Sequence, residues 1–279
     1  MMDNKRLPLA ALFAATVIAT LASCGGGGSS ANPTNAGAPS PAPGAAPVPA
    51  TGATASSCFE AIRPVVGNRG IVELEFQGPM TGTQRIESVW VSENATFEGN
   101  TGLYQGDGTT TGSTVVAGQT IPINFTSKLY SKVTSNGTIA FYGGVTKYAD
   151  TTPTAGPKRI DTFKIVPNPP VIELRANMTE GTSQTYTRNS LTTITLADGT
   201  VTPPTSLTSI ETEKYIGKET VTVPAGTFNA CKFESTKDGS SGISSFWIYR
   251  NIVIKTLAPT TTDTQIMQLK SFAGDGAPL

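Results

Sequence analysis

The 279-residue sequence contains no histidine. That removes the Ser-His-Asp triad, the Cys-His dyad, the histidine metal site and the histidine pH switch. A hydrolase built on this chain would have to work through carboxylates, lysine or tyrosine. Glu73 and Glu75 stand two apart, the spacing that puts both on one face of a strand. Two such groups in a cleft can serve as the acid and base of a glycosidase. Val72, Leu74 and Phe76 alternate with them and supply a face to bury, so the two glutamates read as the wet side of a half-buried strand. Asp107, Asp198 and Asp238 each sit beside a glycine, but none has the Asp-x-Asp-x-Asp-Gly spacing of a calcium loop. They read as turn residues. Gly25 to Gly28 has neither the Lys-Ser/Thr nor the preceding strand of a phosphate loop. No catalytic residue, metal ligand or cofactor is expected, and the chain reads as non-enzymatic.

The N-terminus carries the clearest chemistry. Lys5 and Arg6 precede an apolar run from Leu7 to Leu21, broken by Thr16 and Thr20. The run is too short to span a bilayer, which takes about 20 residues, and right for a signal-peptide core. Leu21-Ala22-Ser23-Cys24 resembles the bacterial lipobox, in which the cysteine is lipidated and becomes the mature N-terminus. Residues 24–57 hold glycine, serine, alanine and proline and almost nothing that could form a core. They read as a disordered tether of roughly 30 Å mean span. The expected layout is a signal peptide over 1–23, lipidated Cys24 and tether over 24–57, and one extracytoplasmic domain over 58–279. Gly25 is not the aspartate that retains enteric lipoproteins in the inner membrane, so the outer membrane is the expected address. The remaining cysteines, Cys58 and Cys231, are expected to pair in an oxidising compartment. The alternative is two buried thiols.

Composition agrees with a secreted β-protein. Charged residues make up 14% of the chain, against about 25% in ordinary soluble domains. Net charge is zero, so nothing recruits nucleic acid. Alternation predicts strands at 69–77, 83–91, 121–125, 127–133, 137–144, 183–187, 191–197, 218–223, 227–235, 243–249, 251–257 and 264–272. Residues 92–120, rich in Gly and Thr, read as strands with long loops. Asn168-Pro169-Pro170 reads as a break, and a short helix near 206–214 is allowed by the pattern. The expected fold is mainly β, a single curved antiparallel sheet forming a half-barrel or open barrel.

Tyr215 to Phe228 contains Val223-Pro224-Ala225-Gly226-Thr227-Phe228, with Cys231-Lys232 after it. Trp247-Ile248-Tyr249, Ile254-Lys255 and Gln268-Leu269-Lys270-Ser271-Phe272 follow in order, and Tyr142-Gly143-Gly144 and Pro169-Pro170 precede. Over residues 137–272 this resembles a family of uncharacterised bacterial lipoproteins with a VPAGTF hairpin. Arg250-Asn251 departs from the Gly-containing turn of that family. The family is similar in architecture to the half-barrel carriers of lipoprotein trafficking. The resemblance implies an apolar concave face and no functional residues.

Phe246, Trp247, Tyr249, Ile252 and Ile254 are the candidate lining for an apolar ligand, with ordinary sheet core as the competing reading. Three functions are compatible with the sequence. The first is a non-enzymatic envelope module, anchored to the membrane by its lipid and binding an apolar ligand or an envelope protein. The second is a structural or surface-interaction lipoprotein, adhesin-like or an assembly partner. The third is a carboxylate-dependent hydrolase.

Overall fold

The computed structural model describes residues 52–60, 64–134, 138–149, 160–240, 242–260 and 263–274. The signal segment, Cys24, most of the tether and the turn at 135–137 lie outside the described residues. The strands are β1 (Arg69–Gln77), β2 (Met80–Phe97), β3 (Asn100–Val116), β4 (Gln119–Val133), β5 (Ile139–Tyr148), β6 (Ile160–Pro167), β7 (Val171–Ile172), β8 (Ser183–Leu196), β9 (Thr205–Val223), β10 (Gly226–Lys237), β11 (Ser244–Tyr249), β12 (Ile252–Pro259) and β13 (Thr264–Gly274).

Almost every strand pairs antiparallel with its neighbour in sequence. β13 then pairs with β1 from Gly70↔Gly274 to Gln77↔Ile266. Only the two-residue β7 stands outside the ring, as an addition to β5. The result is an up-and-down barrel of 12 strands. The sequence expectation of a curved antiparallel sheet holds, with one difference: the sheet closes. An even number of antiparallel strands leaves first and last running in opposite directions, so they pair and remove both edges. β6 lies between β5 and β8, so the sheet runs unbroken across the proline break.

Residues 92–120 are strand, as expected, but without the long loops. They belong to β2, β3 and the start of β4, joined by two-residue turns at Glu98-Gly99 and Ala117-Gly118 in which all four residues have positive φ. Glycine serves curvature here. Gly82 and Gly112 have φ of 138° and 151°. A Cβ on Gly82 would stand 2.1 Å from the Ser113 carbonyl oxygen, and one on Gly112 2.2 Å from that of Thr83. The two neighbouring strands therefore bend where no other residue fits. Residues 206–214 are strand, not helix: they form most of the arm that β9 extends along β8.

A ring of this size is wider than wall side chains can fill; about eight strands is the filled limit. Two short segments enter and close part of it. One is the 3-10 turn Ala55–Cys58, the other the 3-10 turn Arg175–Asn177. They bind each other through Ala55 N–H to Met178 O (3.0 Å) and Glu180 N–H to Ala53 O (3.1 Å). Ala55, Cys58, Ala176 and Met178 are buried with Leu74, Tyr215, Phe233 and Ile248 in the main core. Packing thus begins before residue 58, inside the stretch expected to be tether, with Ala55 fully buried in the main core.

The disulfide forms between Cys58 and Cys231, 173 residues apart. In the chain-entropy account a loop of that length is worth about 5 kcal/mol. Phe59 sits edge-on to Phe233, 6.3 Å between centroids, and Phe233 stacks on Phe246 at 5.4 Å. The β11–β12 turn clamps the chain just beyond. Arg250 and Asn251 both have positive φ, 49° and 67°, a primed turn that Gly usually fills. Asn251 N–H donates to Cys58 O (3.0 Å), its side-chain amide donates to Glu60 O (2.9 Å), and its Oδ1 accepts from Glu60 N–H (3.2 Å). Arg250 pairs with the Glu60 carboxylate. Asparagine suits this turn for two reasons: it tolerates the left-handed backbone and its side chain brackets the incoming chain.

Urea unfolding checks both features. Gly112→Ala is expected to cost about 3 kcal/mol. Gly118→Ala, at φ 78° with nothing near its Cβ, should cost only about 1–2 kcal/mol; equal losses would contradict the close-approach account. Asn251→Gly keeps the turn and loses the bracket, at about 1–2 kcal/mol, and Asn251→Ala should lose about 1 kcal/mol more. A fully stable Asn251→Gly protein would show the bracket to be idle.

Candidate functional site

The five aromatic and aliphatic residues expected to share an apolar face do not share one. Adjacent strand residues point to opposite sides, and β11 splits the set. Phe246 stacks on Phe233 in the interior. Trp247 lies on the other side, under two lysines, with Lys232 and Lys255 Nζ at 5.3 and 5.5 Å from its ring. Its indole N–H donates to Glu219 at 2.6 Å. Ile252 and Ile254 are buried in the main core, and Tyr249 packs on Phe228 at 5.0 Å. These side chains are already in contact with protein. They pack within and against the main core at the plugged end.

Glu73 and Glu75 are on the outer face. Glu73 accepts from Arg85 (3.0 Å) and from Ser271 (3.1 Å), and these two hydrogen bonds hold its pKa below the ordinary value. Asp107 lies on β3 and accepts from Gln105, and Asp198 caps the β8–β9 turn by accepting from Thr200 N–H. Asp238 sits just past β10, its N–H donating to Ile210 O.

The interior holds a charged cluster that the sequence reading did not single out. Glu173 and Arg175 come in on the plug segment. Arg175 Nε donates to Glu173 Oε1 (2.8 Å), its backbone N–H donates to the same oxygen (2.9 Å), and its second guanidinium nitrogen binds Oε2. On the wall, β8 and β9 place Tyr186 opposite Glu211 and Gln184 opposite Glu213. Glu213 Oε2 is 3.9 Å from Arg175 Nε, and Oε1 is 3.9 Å from Arg188 Nη2. Glu211 accepts from the Ser235 hydroxyl (2.6 Å) and lies 3.8 Å from Arg188. Burial raises the Glu213 pKa, partly offset by Arg175. Burial opposes the charge on Arg175, but Glu173 and Glu213 outweigh it and hold its pKa high. Burial, then Glu213 and Glu173, push the Tyr186 phenol upward. The available signal was Glu211-Thr212-Glu213, two carboxylates at i,i+2 running into buried Tyr215. Nothing in the sequence says that their partners come from a plug.

The other part of the interior is an apolar wall. Residues directly opposite across strands share a face. Phe125 pairs with Tyr148. Ser127, Thr146, Phe163 and Ile194 form one row, and Leu129, Gly144, Ile165 and Thr192 the next. The alternate rows carry Lys128, Lys147 and Lys164 and define the outside. Ile123 and Phe125 are buried, with Tyr148 tilted on Phe125 at 5.7 Å. Tyr148, Phe163, Ile165 and Ile194 remain only partly covered although they face inward. Gly144 keeps this wall close, since a Cβ there would meet Leu129 and the Lys128 carbonyl at 2.7 Å. Among the described residues no helix is long and apolar enough to cross a membrane.

No protein-family model and no curated protein matches the sequence. Two solved structures are similar to it. One is a β-barrel-like protein of the DUF1849 domain of unknown function from Brucella abortus, at 9% identity and a TM-score of 0.39, covering 76% of this chain and 99% of its own. The other is a candidate lipoprotein from Parabacteroides distasonis, at 10% identity and a TM-score of 0.30, covering 77% of this chain and 99% of its own.

Proposed function

We propose that the chain is a non-enzymatic lipoprotein, anchored in the outer membrane through lipid on Cys24, whose barrel holds an apolar ligand against its inner wall. One observation carries the reading. Tyr148, Phe163, Ile165 and Ile194 face into a closed ring yet stay partly uncovered, unlike the filled core around Phe233. Apolar surface left open inside a concave wall is what an apolar ligand would cover. The anchor and tether rest on the Leu21-Ala22-Ser23-Cys24 motif and the composition after it. The hydrolase reading loses ground because two of the three interior carboxylates are engaged, Glu173 by Arg175 and Glu211 by Ser235, which leaves Glu213 without a second free carboxylate beside it.

A surface-interaction role is the second reading, favoured by one feature. The β8–β9 arm exposes Leu191, Val201, Leu207 and Ile210, each between 38% and 60% accessible.

Native mass spectrometry of a Cys24→Ala protein, exported and isolated without detergent, separates the two. The first reading predicts an extra mass of lipid size that disappears on denaturation. It also predicts loss of that mass in Phe163→Glu at an unchanged melting temperature. A clean apo mass for the parent protein would overturn it, and the search would turn to proteins retained by the β8–β9 arm.

A further inference from the structure

The interior charge cluster does not balance. The plug brings Glu173 and Arg175; β8 brings Tyr186 and Arg188; β9 brings Glu211 and Glu213; β10 brings Ser235. Fully ionised, these are three carboxylates against two guanidiniums. The side chains of Glu173 and Glu213 are each only 4% exposed and that of Arg175 11%, whereas Glu211 (25%) and Arg188 (38%) reach solvent, so water screens the rim of the cluster and not Glu213 itself. Glu213 is the least served of the three. Its Oε2 accepts no hydrogen bond, and Arg175 Nε stands 3.9 Å away, beyond hydrogen-bonding reach. A proton on Glu213 restores neutrality and gives the carboxyl a donor.

We propose that this cluster is a proton-operated latch, in which one proton on Glu213 seats the plug segment 171–178 against β8 and β9, and its loss releases the segment. The geometry makes the two parts separable. Glu173 and Arg175 ride on the plug, while Glu211, Glu213 and Arg188 belong to the wall. Ionised Glu213 faces the carboxylates of Glu173 and Glu211 in a desolvated space, and Arg175 is already engaged by Glu173. Movement of this segment carries the 52–60 turn with it, through the hydrogen bonds between Ala55 and Met178 and between Glu180 and Ala53. The disulfide keeps Cys58 on β10 throughout, so the release is local.

The sign follows from the seated state holding the proton more tightly than the released state. Seating is fully favoured at acid pH and weakens as pH rises from the ordinary carboxylate value of 4.5 through the raised value of the seated group. Hydrogen exchange at several pH values, corrected for intrinsic rates, reads this directly on the intact oxidised protein. Opening of amides 173–182 should increase by up to about tenfold per pH unit, the slope of one released proton. The β3–β4 amides should not change. Glu213→Gln, neutral at every pH, should keep the segment protected and remove the slope. An unchanged slope in Glu213→Gln, or a flat profile in the parent protein, overturns the latch. Arg188→Gln removes a neighbouring positive charge and should move the release to higher pH; a move to lower pH would also count against it. None of these readouts involves the apolar ligand, so the latch and the ligand reading fail independently.

Discussion

A 12-strand ring is too wide to be filled by the side chains of its own wall. Everything inside this protein answers that constraint. Where the chain itself supplies filling, the interior is a packed core: Ala55, Cys58, Ala176 and Met178 meet Tyr215, Phe233 and Ile248. Where the described residues supply none, inward side chains such as Phe163 and Ile194 stay partly bare. The Cys58–Cys231 bond lies within the packed part. It ties the incoming chain to the middle of β10, and the Asn251 bracket holds the same chain from the adjacent turn.

The same constraint explains the interior charge. A plug made of backbone turns brings polar groups into a dry place, and these must find partners. Arg175 does so on its own segment with Glu173 and across the interface toward Glu213. Burying such a set gives geometric specificity more readily than net stability. The disulfide and the Asn251 bracket both act at the plugged end of the barrel, which leaves the apolar wall of β4–β8 as the face with unmet contacts.

Much of the wall was legible in the sequence. β1 was bounded correctly because Val72, Leu74 and Phe76 alternate with charged residues, the direct signature of a strand with one wet face. The β9–β10 hairpin followed from Val223-Pro224-Ala225-Gly226. The cysteine pair followed from compartment and count. Other features were hidden for physical reasons. β6 alternates only over Phe163 and Ile165, with Pro157 before it and Pro167 at its end, so no strand was expected ahead of the break at Asn168-Pro169-Pro170. Gly106, Gly108 and Gly112 suggested loops because glycine weakens the strand signal, whereas here it permits bending and close approach. Closure depends on β13 meeting β1 across the whole chain, and no local pattern encodes that. The run at 246–254 suited either a lining or ordinary sheet core, because composition does not reveal which side of a strand is already occupied; Trp247, Ile252 and Ile254 lie in the core. The plug was invisible for a similar reason: Ala55 and Arg175 have neither periodicity nor bulk to announce burial.

The most direct test of this account is hydrogen exchange on the oxidised protein against the same protein with the disulfide reduced, in non-denaturing buffer. A wall closed by β1–β13 and a plug held by one covalent bond are separate structures. Reduction should therefore deprotect amides in 53–60 and 173–182, while β2, β3 and β4 keep their protection. If the ring exchanges together with the plug, the barrel has no integrity of its own and the division into wall and plug is wrong. If nothing changes, the disulfide does not hold the plug.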